Sequence, residues 1–292
     1  TGMMFADTLM VSRLGTAALA AVGLANILIF VLLSVFGFPT RIVATAIVAR
    51  FMGGHKEEEA SSAGGKTVTV SIGLGLIMTV FGLLFSDELL VLMGAEREVV
   101  SLGAPYMRMV FATMVFRFIT LAGAGIMRGG GDSRTPMFIV LIANCLNVFL
   151  NWLLIYGIGP FPRMEVVGAG LATALAVLLG GVLTILVLFL GPSVLGLSFR
   201  HLVGLDLPGL KRIGKLFLPA SLEHLILRVG MLLFMKVVVA LGTASLAAHQ
   251  VGLRIESLSF MIGVGFSVAA AALVGQSLGA KKPDLAQLAM RR

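Results

Sequence analysis

Charge is scarce in this sequence. Only 12% of its 292 residues are Asp, Glu, Lys or Arg, where a soluble domain carries about a quarter. The shortage is concentrated in long gaps. No charged residue lies between Arg13 and Arg41, Lys66 and Asp87, Arg134 and Arg163, Glu165 and Arg200, or Glu256 and Lys281. Each gap is long enough to cross a hydrocarbon core, which takes about 20 apolar residues. Five such gaps exclude a soluble globular domain. Cysteine is nearly absent as well: Cys145 sits alone in an apolar run, which excludes a disulfide framework and a thiolate metal site. The four histidines (His55, His201, His224 and His249) show no metal-ligand spacing. No nucleophile–base pair stands out, so no enzyme activity and no cofactor are expected. There is no charged leader either. Thr1 opens directly into an apolar segment that holds Asp7, and the chain reads as starting inside a helix.

What is present is apolar: 58% hydrophobic residues with 36 Gly, 19 Phe and 16 Met, and a mean hydropathy of +1.05. The net charge of +8 could suggest nucleic acid. Basic residues also collect on the cytoplasmic side of membrane proteins, and that reading fits the gaps. Apolar runs read against turn signals give eight membrane segments, at 1–11, 17–51, 67–93, 101–127, 135–157, 166–190, 211–241 and 244–279. Thirteen basic residues lie near the loops after segments two, four, six and eight, from Arg50 and Lys56 to Arg292. Only Arg13, Arg97, Arg108 and Arg163 lie near the others. The expectation is a multi-pass protein of the plasma (cytoplasmic) membrane with its even-numbered loops in the cytoplasm.

The sequence also repeats. Leu14–Ala21 reads LGTAALAA and Leu241–Ala248 reads LGTASLAA, seven identities in eight at an offset of 227. With one residue dropped, the match continues at offset 226 and aligns Gly37 with Gly263, Gly53 with Gly279 and Lys56 with Lys282. Six helices separate the copies, so both run in one direction and relate by an axis along the membrane normal, an arrangement found in transporters. The expected division is a first lobe at 1–200, with its first helix cut short, and a linker plus the start of a second lobe at 201–292.

Ionisable groups inside lipid cost a few kcal/mol at a helix centre and mark functional candidates. Asn147 and Asn151 stack on one helix face, with Asn144 extending the stripe. At about 1.5 Å per residue, Asp7, Asn151, Asn147 and Thr173 fall at similar depth below the outer surface. One carboxylate, two amides and a hydroxyl at one level could hold a proton or Na⁺; interhelical hydrogen bonding is the plainer alternative. In the second copy Asp7 maps onto Phe234, so the ion site belongs to the first lobe only. Arg228 and Glu256 sit at matching depth in a hairpin and are expected to pair. Glu223 has no evident cationic partner and is a candidate to attract cationic cargo. Arg117 and Arg254 receive no role.

Three stretches together resemble the multidrug and toxic compound extrusion (MATE) family. They are RGGGDSRTP (Arg128–Pro136) followed by Asn147, Asn151 and NWLLIYG, then LGTASLAAHQVGLRIESLSFMIGVGFSVAAAALVGQSLGA (Leu241–Ala280), then DTLMVSRLGTAALAAVGLA (Asp7–Ala25). The resemblance implies an all-α polytopic fold of two six-helix lobes around an alternating cleft. It implies export of drugs and organic cations against entry of H⁺ or Na⁺, by a protein that is monomeric when full length. It places the first-helix acid at Asp7, the polar pair at Asn147 and Asn151, and the hydroxyl at Thr173. Some members carry an acid where Asn151 stands, which leaves the coupling ion open. A seventh-helix acid falls about one turn from Glu223. The competing function is a lipid-linked oligosaccharide flippase, whose cleft would be lined with cations.

Overall fold

The computed structural model describes residues 2–158, 161–191, 196–198, 200, 207–240 and 243–291. The side chains of residues 4–6 and of most of 243–262 lie outside that description. Also outside it are Gly242 of the expected hairpin, residues 201–206 at the expected junction between lobes, and the Arg254 side chain. Among the described residues the regular structure is helical: α1 (Gly2–Val11), α2 (Thr16–Leu32), α3 (Phe38–Gly53), α4 (Glu57–Leu92), α5 (Arg97–Ala112), α6 (Met114–Gly129), α7 (Arg134–Tyr156), α8 (Glu165–Leu190), α9 (Leu207–Ala240), α10 (Thr243–Gly279) and α11 (Pro283–Arg291).

The second expected segment is α2 and α3 joined through a π turn at Leu33–Gly37, which makes one apolar run of 38 residues. Pro39 explains the turn. A proline ring in a helix clashes with the carbonyl four residues back and cannot donate to it. Widening to i→i−5 bonding relieves both problems, and the Phe38 N–H reaches Leu33 O. The third segment starts nearly three turns before the apolar run, at Glu57 rather than near residue 67. Glu57, Glu58 and Glu59 occupy its first turn, where negative charge favours a helix N-terminus. The fourth segment is two helices, α5 and α6, bent by 51° at Thr113. There the Thr113 hydroxyl donates to the Val110 carbonyl at 3.0 Å. Pro283–Arg291, α11, was not among the expected segments.

The main core lies where α2, α5 and α8 meet. Ala18, Val22, Ala25 and Ile29 pack with Tyr106, Met107, Val110 and Phe111 and with Val166 and Ala169. Apolar residues are just as common outside: Ile77 is 60% exposed, Leu84 63% and Phe149 55%. Water would oppose such a surface, whereas lipid accommodates it. Among the described residues five helices are long and apolar enough to span a membrane, and the bent α5–α6 pair makes a sixth.

The sequence repeat reappears as backbone geometry. After α3, His55 takes φ +57°, and after α10, Lys281 takes φ +58°. The bonds around them correspond at offset 226: Lys56 N–H to Phe51 O at 3.0 Å and Lys282 N–H to Ser277 O at 3.0 Å, with His55 to Met52 and Lys281 to Leu278 beside them. The two copies also pack on each other. A Cβ on Gly53 would fall 1.9 Å from Gln276 O, and one on Gly279 would fall 2.0 Å from Arg50 O. Arg50 and Gln276 are themselves equivalent, as are Ala49 and Gly275, which meet directly. Exchange of equivalent residues across a contact is what an approximate two-fold axis produces. The axis passes between α3 and α10.

Candidate functional site

Asp7 on α1 is fully buried, and four donors converge on it. Oδ1 accepts from Asn151 Nδ2 at 2.6 Å and Asn147 Nδ2 at 3.4 Å. Oδ2 accepts from the Thr173 hydroxyl at 2.8 Å and the Tyr106 hydroxyl at 3.0 Å. Asn147 gives its other proton to Thr173 Oγ1 at 3.0 Å, and Asn151 gives its other to Asn147 Oδ1 at 3.3 Å. Such a set suits an ionised carboxylate, which can only accept. The four residues that depth counting brought to one level are therefore in mutual contact, from α1, α7 and α8.

Two partners were not foreseen. Tyr106 on α5 is fully buried, and its hydroxyl also lies 3.1 Å from Asn26 Oδ1 on α2. Tyr106 is one of only two tyrosines, and a phenol inside an apolar helix needs a polar partner. That signal was legible and went unread. Gly170 is why α5 can stand there: a Cβ on it would lie 3.1 Å from Tyr106 Cα. Two buried atoms of the network have no partner among the described residues, Asn151 Oδ1 and Asn26 Nδ2. An unsatisfied amide oxygen beside a carboxylate is an acceptor position that a proton or a bare cation could use.

Asn144 does not join this set. Its Nδ2 donates to its own helix at Val140 O, 2.8 Å away. It lines a cavity of about 110 Å³ with Met3, Thr120 and Ala176, where Arg117 projects. Arg117 Nη1 is 3.8 Å from Met3 Sδ, and Met3 lies one helical turn from Asp7 on α1. Tyr156 ties the C-terminal end of α7 to α1 by donating to Met10 O at 3.1 Å.

The expected pair between Arg228 and Glu256 is not formed. Arg228 Nε donates to Ser34 Oγ at 3.0 Å, and its guanidinium lies 4.7 Å above the Phe30 ring. The reason is packing: α9 leans on the π turn and α10 leans on α3, so the two helices do not face each other along their length. Glu256 is exposed. Glu223 is exposed too, and the adjacent His224 meets the Phe38 ring edge-on at 6.2 Å. Arg108 forms an ion pair with Asp87. Among the described residues no cluster of three or more His, Cys, Asp or Glu could hold a metal.

Comparison with known proteins follows this geometry. The MatE family profile matches residues 1–153 and 219–292. A probable multidrug resistance protein NorM of Thermotoga maritima is 30% identical over 277 residues, 94% of this chain and 58% of that protein. A FAD transporter of Shewanella oneidensis is 27% identical across 99% of this chain and 64% of its own length. A crystal structure of MATE in the bent conformation superposes with a TM-score of 0.89 at 27% identity, covering 98% of this chain and 63% of that one. The chain thus spans about three-fifths of the length of the proteins it matches.

Proposed function

Because the chain belongs to the MatE family, we propose that it supplies the ion-coupling lobe and part of the cleft of a secondary active transporter. In this reading the full-length protein exports amphipathic organic compounds in exchange for H⁺ or Na⁺. It is a multi-pass membrane protein, and the positive-inside pattern supports even-numbered loops in the cytoplasm. The lobe division, 1–200 and 201–292, follows from the repeat: α10 begins a second copy of α2–α3. The observation that carries the reading is the Asp7 network. A carboxylate buried in apolar surroundings is expensive unless it is fully hydrogen-bonded, and here four donors from three other helices satisfy it. Donors drawn from separate helices link protonation, or Na⁺ exchange, to helix packing, and so to which side of the cleft is open.

Organic cations are the cargo that Glu223 suggests, and their support rests on Glu223 alone. The Asp7 carboxylate is closed off by its donors. The flippase alternative is not favoured, since the relatives are MATE proteins carrying multidrug and FAD transporter names.

Efflux by the full-length transporter tests the reading. A panel of dyes of both charges is loaded, and an inward H⁺ or Na⁺ gradient is imposed. Gradient-driven efflux of at least one dye is expected, and replacing Na⁺ by choline at fixed pH identifies the ion. Efflux indifferent to both gradients would overturn the proposal.

A further inference from the structure

Between the first copy and α9 lies a basic cluster that ion coupling does not use. On the α2–α3 run, Phe30, Ser34, Phe38 and Arg41 recur at helical spacing on one face. His224 and Arg228, four apart on α9, stand opposite. Every member touches another. The Arg228 guanidinium lies 4.7 Å over the Phe30 ring and donates to Ser34. Arg41 lies 5.7 Å from the Phe38 centroid, and His224 meets the same ring at 6.2 Å. Phe30 and Phe38 meet edge-to-face at 5.9 Å.

Arg41 and His224 meet the same Phe38 ring, and Arg228 stands one helical turn from His224 on α9. Among the described residues none of Arg41, His224 and Arg228 has a carboxylate in ion-pair contact. Glu223, the chain neighbour of His224, is exposed. The cluster is therefore net positive inside a membrane protein, where like charges held together are costly without a counter-ion. Arg41, Phe30, Phe38, His224 and Arg228 are all half-buried. The π turn at Leu33–Gly37 sits at the centre, and such turns recur at functional sites.

We propose that Arg41, His224 and Arg228, with the rings of Phe30 and Phe38, form a cargo subsite for amphipathic organic anions, an aromatic body bearing a phosphate, sulfonate or carboxylate. The inference rests on the transporter reading and names its cargo class. The guanidinium groups supply charge-assisted donors to the anionic head. The phenylalanines supply the apolar wall for its ring. The Ser34 hydroxyl donates to Val31 O at 2.7 Å and accepts from Arg228, so it orients the guanidinium rather than the ligand.

The test is equilibrium binding to the full-length protein in phosphatidylcholine nanodiscs. The probes are 2-naphthalenesulfonate and its neutral isostere 2-naphthalenesulfonamide. The sulfonate should bind at least tenfold more tightly. Arg228→Gln and Arg41→Gln should each weaken it about tenfold and leave the sulfonamide unchanged, while Arg228→Lys keeps most of the preference. Equal binding of the two probes, or a preference untouched by Arg228→Gln, overturns the proposal. Loss of sulfonate binding when phosphatidylglycerol replaces phosphatidylcholine overturns it too, because the cluster would then be a lipid-headgroup site. Binding is read without transport, so these outcomes stand apart from the gradient experiment: dye efflux can persist while the sulfonate preference fails.

Discussion

Replacing Asp7 by Asn removes one charge and almost no volume, and the network allows its consequences to be worked through. Hydrogen bonds to a charged group are worth about 1.5–3 kcal/mol each. The four at Asp7 would sum to several kcal/mol, but desolvating the carboxylate costs a comparable amount. An amide at position 7 can keep its oxygen toward Asn151 and Asn147, the partners now at 2.6 and 3.4 Å. Its NH₂ would then face the Thr173 and Tyr106 hydroxyls, which can turn to accept. The Tyr106 proton has a waiting acceptor in Asn26 Oδ1, 3.1 Å away. The Thr173 proton can bond within its own helix, as Thr184 does to Gly180 O at 2.7 Å. The net change in stability is therefore small, within about 2 kcal/mol, or roughly 4–8 °C at most in thermal midpoint. Coupling has no such compensation. An amide neither gains nor loses a proton near neutral pH and offers Na⁺ no charge, so the ion gradient loses its handle. The expected result is a full-length Asp7→Asn protein of near-normal abundance and melting temperature whose gradient-driven dye efflux falls tenfold or more. Wild-type efflux that still follows the gradient would refute the assignment. A variant that fails to fold would refute the hydrogen-bond accounting instead.

The other expectations concern packing and topology. Gly53→Ala and Gly279→Ala should each lower the melting temperature by a similar amount, because their new Cβ atoms would fall 1.9 and 2.0 Å from facing carbonyl oxygens. Gly54→Ala, whose Cβ would sit at 3.4 Å, should be tolerated; a reversed order of the three would contradict the crossing. Gly170→Val pushes side-chain volume onto Tyr106, and overpacking of this kind costs about 1–3 kcal/mol. It should lower thermal stability and coupled efflux together, and a stable, coupled variant would show that α8 has room to retreat. An impermeant amine label applied to intact cells should leave Lys56 unmodified if the loop after α3 is cytoplasmic; its labelling from outside would invert the topology.

The sequence alone located most helices because lipid forces apolar residues onto both the inner and the outer faces, so uncharged gaps mark spans directly. It placed the start of α4 too late for the same reason. Glu57–Glu59 looks like a loop when charge is the only guide, yet it is a favourable first turn. Depth counting found Asp7, Asn147, Asn151 and Thr173 because each stands out against its surroundings and helical rise converts position into height. It missed Tyr106, near the start of the fourth segment and at the depth of Asp7, because a phenol ring reads as apolar bulk, and Asn26 because a single amide in a long apolar helix reads as packing glue. The Arg228–Glu256 pairing failed for a different reason. Equal depth on neighbouring segments says nothing about azimuth, and azimuth here is set by the first lobe, against which both helices pack.

The two copies show which part of a repeat is held by backbone and which by side-chain chemistry. The turn after each copy requires one residue at positive φ, and two different side chains, His55 and Lys281, accept it at +57° and +58°. The crossing requires two glycines, and both copies keep them. These demands are geometric, and each copy meets them because the packing of the lobes rests on them. Asp7 answers to a different demand. Its donors come from α5, α7 and α8, and its counterpart is the apolar ring of Phe234, which meets the ring of His249 at 5.4 Å. The second copy has no carboxylate at that position to take a proton or hold Na⁺. The ion chemistry can therefore be confined to one lobe while the symmetric scaffold carries its effect across the cleft. The charge of the cargo can then be set separately, at the face that carries Arg41 beside Phe38 and Arg228 beside Phe30.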